Sequence, residues 1–184
     1  MGSLIRETQQ QGYDCMRLRL RPLRLADAQD MYAYTSCEQS CQFLKWGPHL
    51  DISEAVNYIK SAVAQPPSAC EIVWGIEEKR SGRLIGTLRI YHITNTEASV
   101  SYMLNKDYSG KGFMTEAVCA AVDVCFSRLK LQTVFAFSVE ENVASRRVLE
   151  RCGMQVSQHA PQKVVMRNKE LNMLEYMISN EGKT

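Results

Sequence analysis

Ser109-Gly110-Lys111-Gly112-Phe113-Met114-Thr115-Glu116-Ala117 is the stretch that decides the fold of this 184-residue chain. Two glycines follow a strand-like run and precede a long stretch of helical periodicity. Glycine lets the backbone turn tightly and puts no side chain between the backbone and a ligand. N–H groups at a helix start point outward with the helix dipole behind them, so the segment has the physics of a diphosphate cradle. It is not a P-loop, because G-x-x-x-x-G-K-[ST] is absent, and it lacks the third glycine of a dinucleotide fingerprint. G-x-G alone also describes an ordinary turn, so the surroundings carry the argument.

Downstream, Met114, Ala117, Val118, Ala121, Val122, Cys125 and Leu129 recur on one face of a long amphipathic helix. A strand at Thr133 to Val139 follows. Asn142 then opens a helix to about Arg151, which Cys152-Gly153 ends. Upstream lie three strand-like runs, Glu71 to Glu77, Leu84 to Ile93 and Ser99 to Leu104, joined by turns at Ser81-Gly82 and Thr94-Asn95-Thr96. Such short connections predict an antiparallel meander.

Further upstream, Met16 to Pro22 alternates apolar and basic residues as a strand does. Leu25, Ala28, Met31, Tyr32 and Thr35 predict a first helix. Trp46-Gly47-Pro48 marks a turn. Asp51 or Ser53 caps a second helix carrying Ala55, Val56, Ile59 and Val63, which Gln65-Pro66-Pro67 stops. The tail adds strands around Val164 to Met166 and Met173 to Ile178, with Arg167-Asn168-Lys169 as hairpin. The first 15 residues are polar and are expected to be a loosely held lead-in, leaving residues 16–184 as one domain. The predicted order describes a mixed α/β domain. Its sheet of about seven strands is largely antiparallel and flanked by about four helices.

Apolar residues make up 45% and charged residues 23%, a globular balance, and the formal net charge of +2 argues against nucleic acid as a partner. No apolar run reaches membrane-spanning length, and Met1 to Cys15 holds no apolar h-region. The expectation is a cytoplasmic protein with no membrane partner. Seven cysteines without a CxxC, beside three histidines, give no zinc spacing. No metal is expected, and the cysteines read as reduced, apolar thiols.

Some thirty residues past the glycine turn comes Asn142-Val143-Ala144-Ser145-Arg146-Arg147-Val148-Leu149-Glu150-Arg151-Cys152-Gly153-Met154. Together the two segments resemble the GNAT superfamily of N-acetyltransferases. Its phosphate loop reads [QR]-x-x-G-x-[GA], and its following helix reads N-x-x-[AS]-x-x-x-[YL]-x-x-x-G-[FM]. Asn142, Ser145, Leu149, Gly153 and Met154 fall on the second pattern in register. G-K-G-F-M-T-E-A, Arg17 to Leu23 and Trp46 to His49 resemble the branch holding bacterial ribosomal-protein N-terminal acetyltransferases. The resemblance spans about residues 16 to 178. It departs at two places. Asp107 stands where the loop has Gln or Arg, and Leu149 stands where many members carry a tyrosine that protonates the departing thiolate.

The resemblance implies a GNAT fold and direct acetyl transfer from acetyl-CoA to an amine within a ternary complex. It implies that Met103, Leu104, Ser109, Gly110, Lys111, Gly112, Phe113, Met114, Thr115, Asn142 and Ser145 bind acetyl-CoA. A backbone N–H of Met103 or Leu104 would stabilise the oxyanion, with pantetheine lying between splayed strands. Ser145 is the candidate proton donor to sulfur, and a first-turn capping serine is the alternative. Asn142 reads equally as an N-cap. Glu97 is the candidate general base, beside Glu71, His92 and Glu140, with Tyr102 and Tyr91 as further polar candidates. At most one of Arg146 and Arg147 reaches the CoA 3′-phosphate. Trp46 and Trp74 read as core or as acceptor-pocket wall.

The acceptor is a protein N-terminus, ribosomal or other, or a small amine. A polyamine predicts an acidic pocket and an antibiotic a wide one. A monomer and a homodimer both fit. A catalytically silent CoA-binding sensor, which the two departures favour, a structural α/β domain that binds no CoA, and an enzyme for a larger acyl group, which the volume near Ser145 would decide, are the alternatives.

Overall fold

The computed structural model describes residues 1–64 and 70–180. Helix α1 (Gly2–Gln11) and the two-residue strand β1 (Tyr13–Asp14) come first, then β2 (Leu18–Pro22). A 3-10 turn (Leu25–Asp27) leads into α2 (Ala28–Thr35), followed by the short α3 (Glu38–Cys41) and by α4 (Ile52–Val63). Next come β3 (Ile72–Glu78), β4 (Leu84–Tyr91) and β5 (Glu97–Leu104). After a 3-10 turn (Lys106–Tyr108) the chain forms α5 (Phe113–Ser127), β6 (Thr133–Val139) and α6 (Val143–Arg151). It closes with β7 (Gln155–Val156), β8 (Gln162–Met166) and β9 (Lys169–Ser179).

The strands form one sheet in the order β1-β2-β3-β4-β5-β6-β9-β7, with β8 on β9. Every pairing is antiparallel except β5 with β6, which α5 connects as a crossover. The mixed, largely antiparallel sheet expected from the sequence is therefore present, with β1 and β7 as added edge strands. The main core lies between the sheet and α5, where Trp74, Leu88, Val118 and Cys125 are buried. A second cluster packs α2 and α4 on the sheet through Met31, Tyr34, Ile59 and Val73.

Local chemistry explains the element ends. Asp51 accepts a hydrogen bond from the Ser53 N–H and caps α4. Arg167 and Asn168 both have positive φ, as a two-residue hairpin turn requires. The Gln65-Pro66-Pro67 stop lies outside the described residues. The expected lead-in is the clearest difference. Residues 2–11 form a helix that buries Ile5 and Thr8, and the Gln9 carbonyl accepts the Trp74 indole N–H at 3.0 Å. The apolar face of α1 is short, Leu4 and Ile5 in an otherwise polar stretch, so packing against the sheet, not propensity, holds the helix.

The buried Arg21 ties β2 to the start of α2. It forms two 2.8 Å hydrogen bonds with Asp27, and its Nε reaches Glu77 at 2.5 Å. Asp27 also accepts the Arg24 N–H at 2.7 Å, fixing the turn that aims α2 across the sheet.

Candidate active site

β5 and β6 pair only from Glu97↔Thr133 to Val100↔Ala136, although β5 continues to Leu104 and β6 to Val139. Beyond Val100 the strands splay. The Asn105 N–H donates to the Ile85 carbonyl on β4 at 2.8 Å. Backbone direction alternates along a strand, so the N–H of Leu104 faces the gap, and that of Met103 faces β4.

The glycine turn lies at the end of this gap. Gly110 and Gly112 have φ of 75° and 79°, a region costly for L side chains, and Gly112 is the left-handed N-cap of α5. The first intrahelical bond is Glu116 N–H to Gly112 O. The N–H groups of Phe113, Met114 and Thr115 therefore precede the ladder and face outward. A Cβ on Gly110 would meet nothing within 4 Å, so the cradle is open there.

Arg17, from the start of β2, holds this turn from behind. Its Nη1 donates to the Lys111 carbonyl at 2.8 Å, its Nε pairs with Glu116 at 2.8 Å, and its guanidinium lies 4.6 Å from the Phe113 ring centre. Sequence reading missed this brace. Asp107 is exposed and does not line the groove, so its carboxylate does not confront an anion there.

A groove of about 600 Å³ runs over the turn and into the gap. Met103, Leu104, Ser109, Gly110, Gly112, Phe113, Met114, Thr115, Asn142 and Ser145 all line it. Lys111 does not. Its ammonium turns back to the Asp107 carbonyl at 2.9 Å and lies 5.3 Å from the Tyr108 ring centre. Arg147 and Arg151 face the groove, whereas Arg146 is engaged by the Tyr176 hydroxyl and the Glu140 carbonyl. Successive helical residues point in different directions, so only one of the adjacent arginines lines the groove. Gln39, Ser40, Gln42, Phe43 and Leu44, on and just after α3, supply the opposite wall, for which no sequence motif speaks.

A second cavity of about 410 Å³ opens between β4, β5, α2 and α4. Thr87, Arg89, Ser101 and Met103 line it from one sheet face, as their register pairs require. Tyr34, His49 and Tyr58 lie opposite. His49 Nδ1 is buried with no hydrogen-bond partner among the described residues, and the buried Tyr34 hydroxyl has only the nearby Thr87 side chain. Trp46, 43% exposed, stacks on His49 with ring centres 5.2 Å apart and forms cavity wall, while Trp74 is fully buried core. Among the described lining residues there is no carboxylate.

The two cavities share Leu44, Tyr102 and Met103. At that junction the Tyr102 hydroxyl lies 2.9 Å from Ser145 Oγ and 3.2 Å from the Ser145 carbonyl, to which it can donate. Burial pushes the Tyr102 phenol above its ordinary range, so it keeps its proton. Asn142 Oδ1 accepts the Ser145 N–H at 3.1 Å, which makes it the N-cap of α6, and the residue also lines the groove. Leu149 is fully buried. Glu97 stands apart. It is exposed at the far end of β5, five strand residues or ~16 Å from Tyr102, and lines neither cavity. His92 and Glu140 also line neither, and Glu71 sits beside the smaller cavity, paired with Arg89.

The model of the Acetyltransferase (GNAT) domain matches residues 17–155, most of the chain. The chain belongs to the GNAT acetyltransferase family. This acetyltransferase is 41% identical over 86 residues to the probable N-acetyltransferase YjcK of Bacillus subtilis, covering 45% of this chain and 48% of YjcK. It is 28% identical over 141 residues to the B. subtilis N-acetyltransferase YoaA, covering 76% and 80% of the two chains. Its fold matches the microcin C7 self-immunity acetyltransferase MccE, solved with acetyl-CoA and AMP, at TM-score 0.79 and 18% identity, over 89% and 93% of the chains. The protein is an acetyl-CoA-dependent N-acetyltransferase, and the open glycine cradle with its outward N–H groups fits that cosubstrate. No helix among the described residues is long and apolar enough to cross a membrane.

Proposed function

We propose that this acetyltransferase moves the acetyl group of acetyl-CoA directly onto a primary amine seated in the smaller cavity. The observation that supports this is the meeting of the two cavities at Tyr102 and Met103, where β5 leaves β6. Groove and cavity approach that point from either side, so an amine and a thioester can meet without water between them.

The amine nitrogen forms the new bond to the carbonyl carbon, and the C–S bond breaks. The Leu104 N–H donates to the developing oxyanion. Ser145 Oγ gives its proton to the departing thiolate, and the Tyr102 hydroxyl resupplies it across their 2.9 Å contact. Tyr102 thereby takes over the duty that Leu149 cannot perform. His49 accepts the ammonium proton, directly or through a water. It is the one imidazole among the described lining residues of the smaller cavity. Arg147 and Arg151 attract the phosphates of CoA to the groove.

Calorimetric titration with acetyl-CoA tests the groove assignment. Wild type is expected to bind in the micromolar range and Gly110→Trp not to bind, because a side chain at Gly110 enters the open cradle, whereas one at Gly112 would face Arg17 behind the turn. If neither protein binds, the proposal is wrong.

A further inference from the structure

Resting on that reading, we infer that the acceptor is an α-amino acid with a free carboxylate and an apolar side chain, rather than a polyamine. The chemistry of the smaller cavity carries this. A polycationic acceptor needs carboxylates to replace the water around each ammonium, and no described lining residue of the cavity has one. What the wall does carry is a cation, Arg89.

Glu71 meets this guanidinium through Nη2 alone among the described residues. A guanidinium has five donors in a planar fork, so one carboxylate does not saturate it. Tyr91, 5.5 Å away at its ring centre, holds its flank. Burial pulls against the charge on Arg89, and the pairing with Glu71 together with the fields of Tyr58 and Tyr91 outweighs it. The cavity therefore presents a held cation with capacity to spare.

Spacing narrows the class. Arg89 is in register with Ser101, two residues before Met103 at the junction with the groove. The two backbone positions are ~7 Å apart along the strand, and the guanidinium leans from there toward Tyr91 and Glu71. An acceptor with its carboxylate on this guanidinium and its amine directed at Met103 lies along the strand between them. The buried His49 Nδ1, which has no partner among the described residues, offers a polar contact, and Met31, Leu44 and Trp46 offer apolar surface for the side chain.

The test is steady-state acetylation of L-methionine and L-phenylalanine, their C-terminal amides, spermidine, and a methionine-initiated tripeptide amide, by wild type and Arg89→Gln. Acetyl-CoA affinity is measured calorimetrically on both proteins. Wild type is expected to prefer the free acids over the amides by at least ~10-fold in kcat/KM, mainly through KM. Arg89→Gln should erase that preference and leave acetyl-CoA binding unchanged. Spermidine, the tripeptide or the amides matching the free acids would overturn the inference. So would a preference that survives in Arg89→Gln, or acetyl-CoA binding with no turnover of any acid. Loss of acetyl-CoA binding in wild type would instead bring down the reading on which the inference rests.

Discussion

Tyr102→Phe removes one oxygen at the junction of the two cavities and leaves the ring in place. Two contacts go with it, at 2.9 Å to Ser145 Oγ and 3.2 Å to the Ser145 carbonyl. Their loss costs the fold about 1–2 kcal/mol, tolerable against the ~5–15 kcal/mol of an ordinary domain. The chemical step loses its proton reservoir. General acid–base groups contribute roughly 10²–10⁴-fold, and Ser145 can still draw on water, so kcat should fall by about 100-fold, or ~2.7 kcal/mol. KM and the dissociation constant for acetyl-CoA should stay within about twofold.

The assay is thiol release at saturating acetyl-CoA and amine, repeated with an acetyl thioester whose thiol is far more acidic. A good leaving group needs no proton, so the Tyr102→Phe deficit should shrink to about threefold or less on that donor. Ser145→Ala together with Tyr102→Phe should cost no more than the worse single change, because the pair acts as one relay. Since burial raises the Tyr102 phenol pKa, the wild-type rate should show no loss from its ionisation up to about pH 9. An unchanged kcat with acetyl-CoA, or an equal deficit on the acidic thioester, would refute the relay.

Two further outcomes follow from groups away from the junction. Asp27→Asn leaves the buried Arg21 guanidinium short of a carboxylate that now gives it two 2.8 Å bonds, and should destabilise the fold by ~3–5 kcal/mol, read as a lower urea midpoint with an unchanged slope. The Cys37 thiol is held below its ordinary range, chiefly by a backbone hydrogen bond from Ser40, while burial pushes Cys15 up to about 11 and Cys125 up to about 12. Thiolate is the reactive form, so limiting iodoacetamide near neutral pH should label Cys37 well before Cys15 or Cys125 in peptide mass spectra. The reverse order would contradict the placement of α3.

By itself the sequence determined what neighbouring residues settle among themselves. The glycine turn, the Asp51 and Asn142 caps, the Arg167-Asn168 hairpin, the meander and the α5 crossover each follow from the conformational preferences of a few adjacent residues. About half of the groove's lining was legible for the same reason, since those residues sit on one strand end, one turn and two helix starts. The tertiary structure decided the rest, because those features depend on distant segments meeting in one register. Arg17 braces a turn that begins 92 residues later, as the separation of residues 17 and 109 shows. Tyr102 meets Ser145 across 43 residues, only because β5 leaves β6 where α6 begins to overlie it. Glu97 illustrates the converse. It has the right chemistry on the right strand, but a strand advances ~3.3 Å per residue, and five residues put its carboxylate out of reach. Trp46 and Trp74 are chemically identical, and only packing made one a cavity wall and the other core. Composition can propose a proton donor or a base, but it takes the distance between them, fixed by the whole sheet, to make them a site.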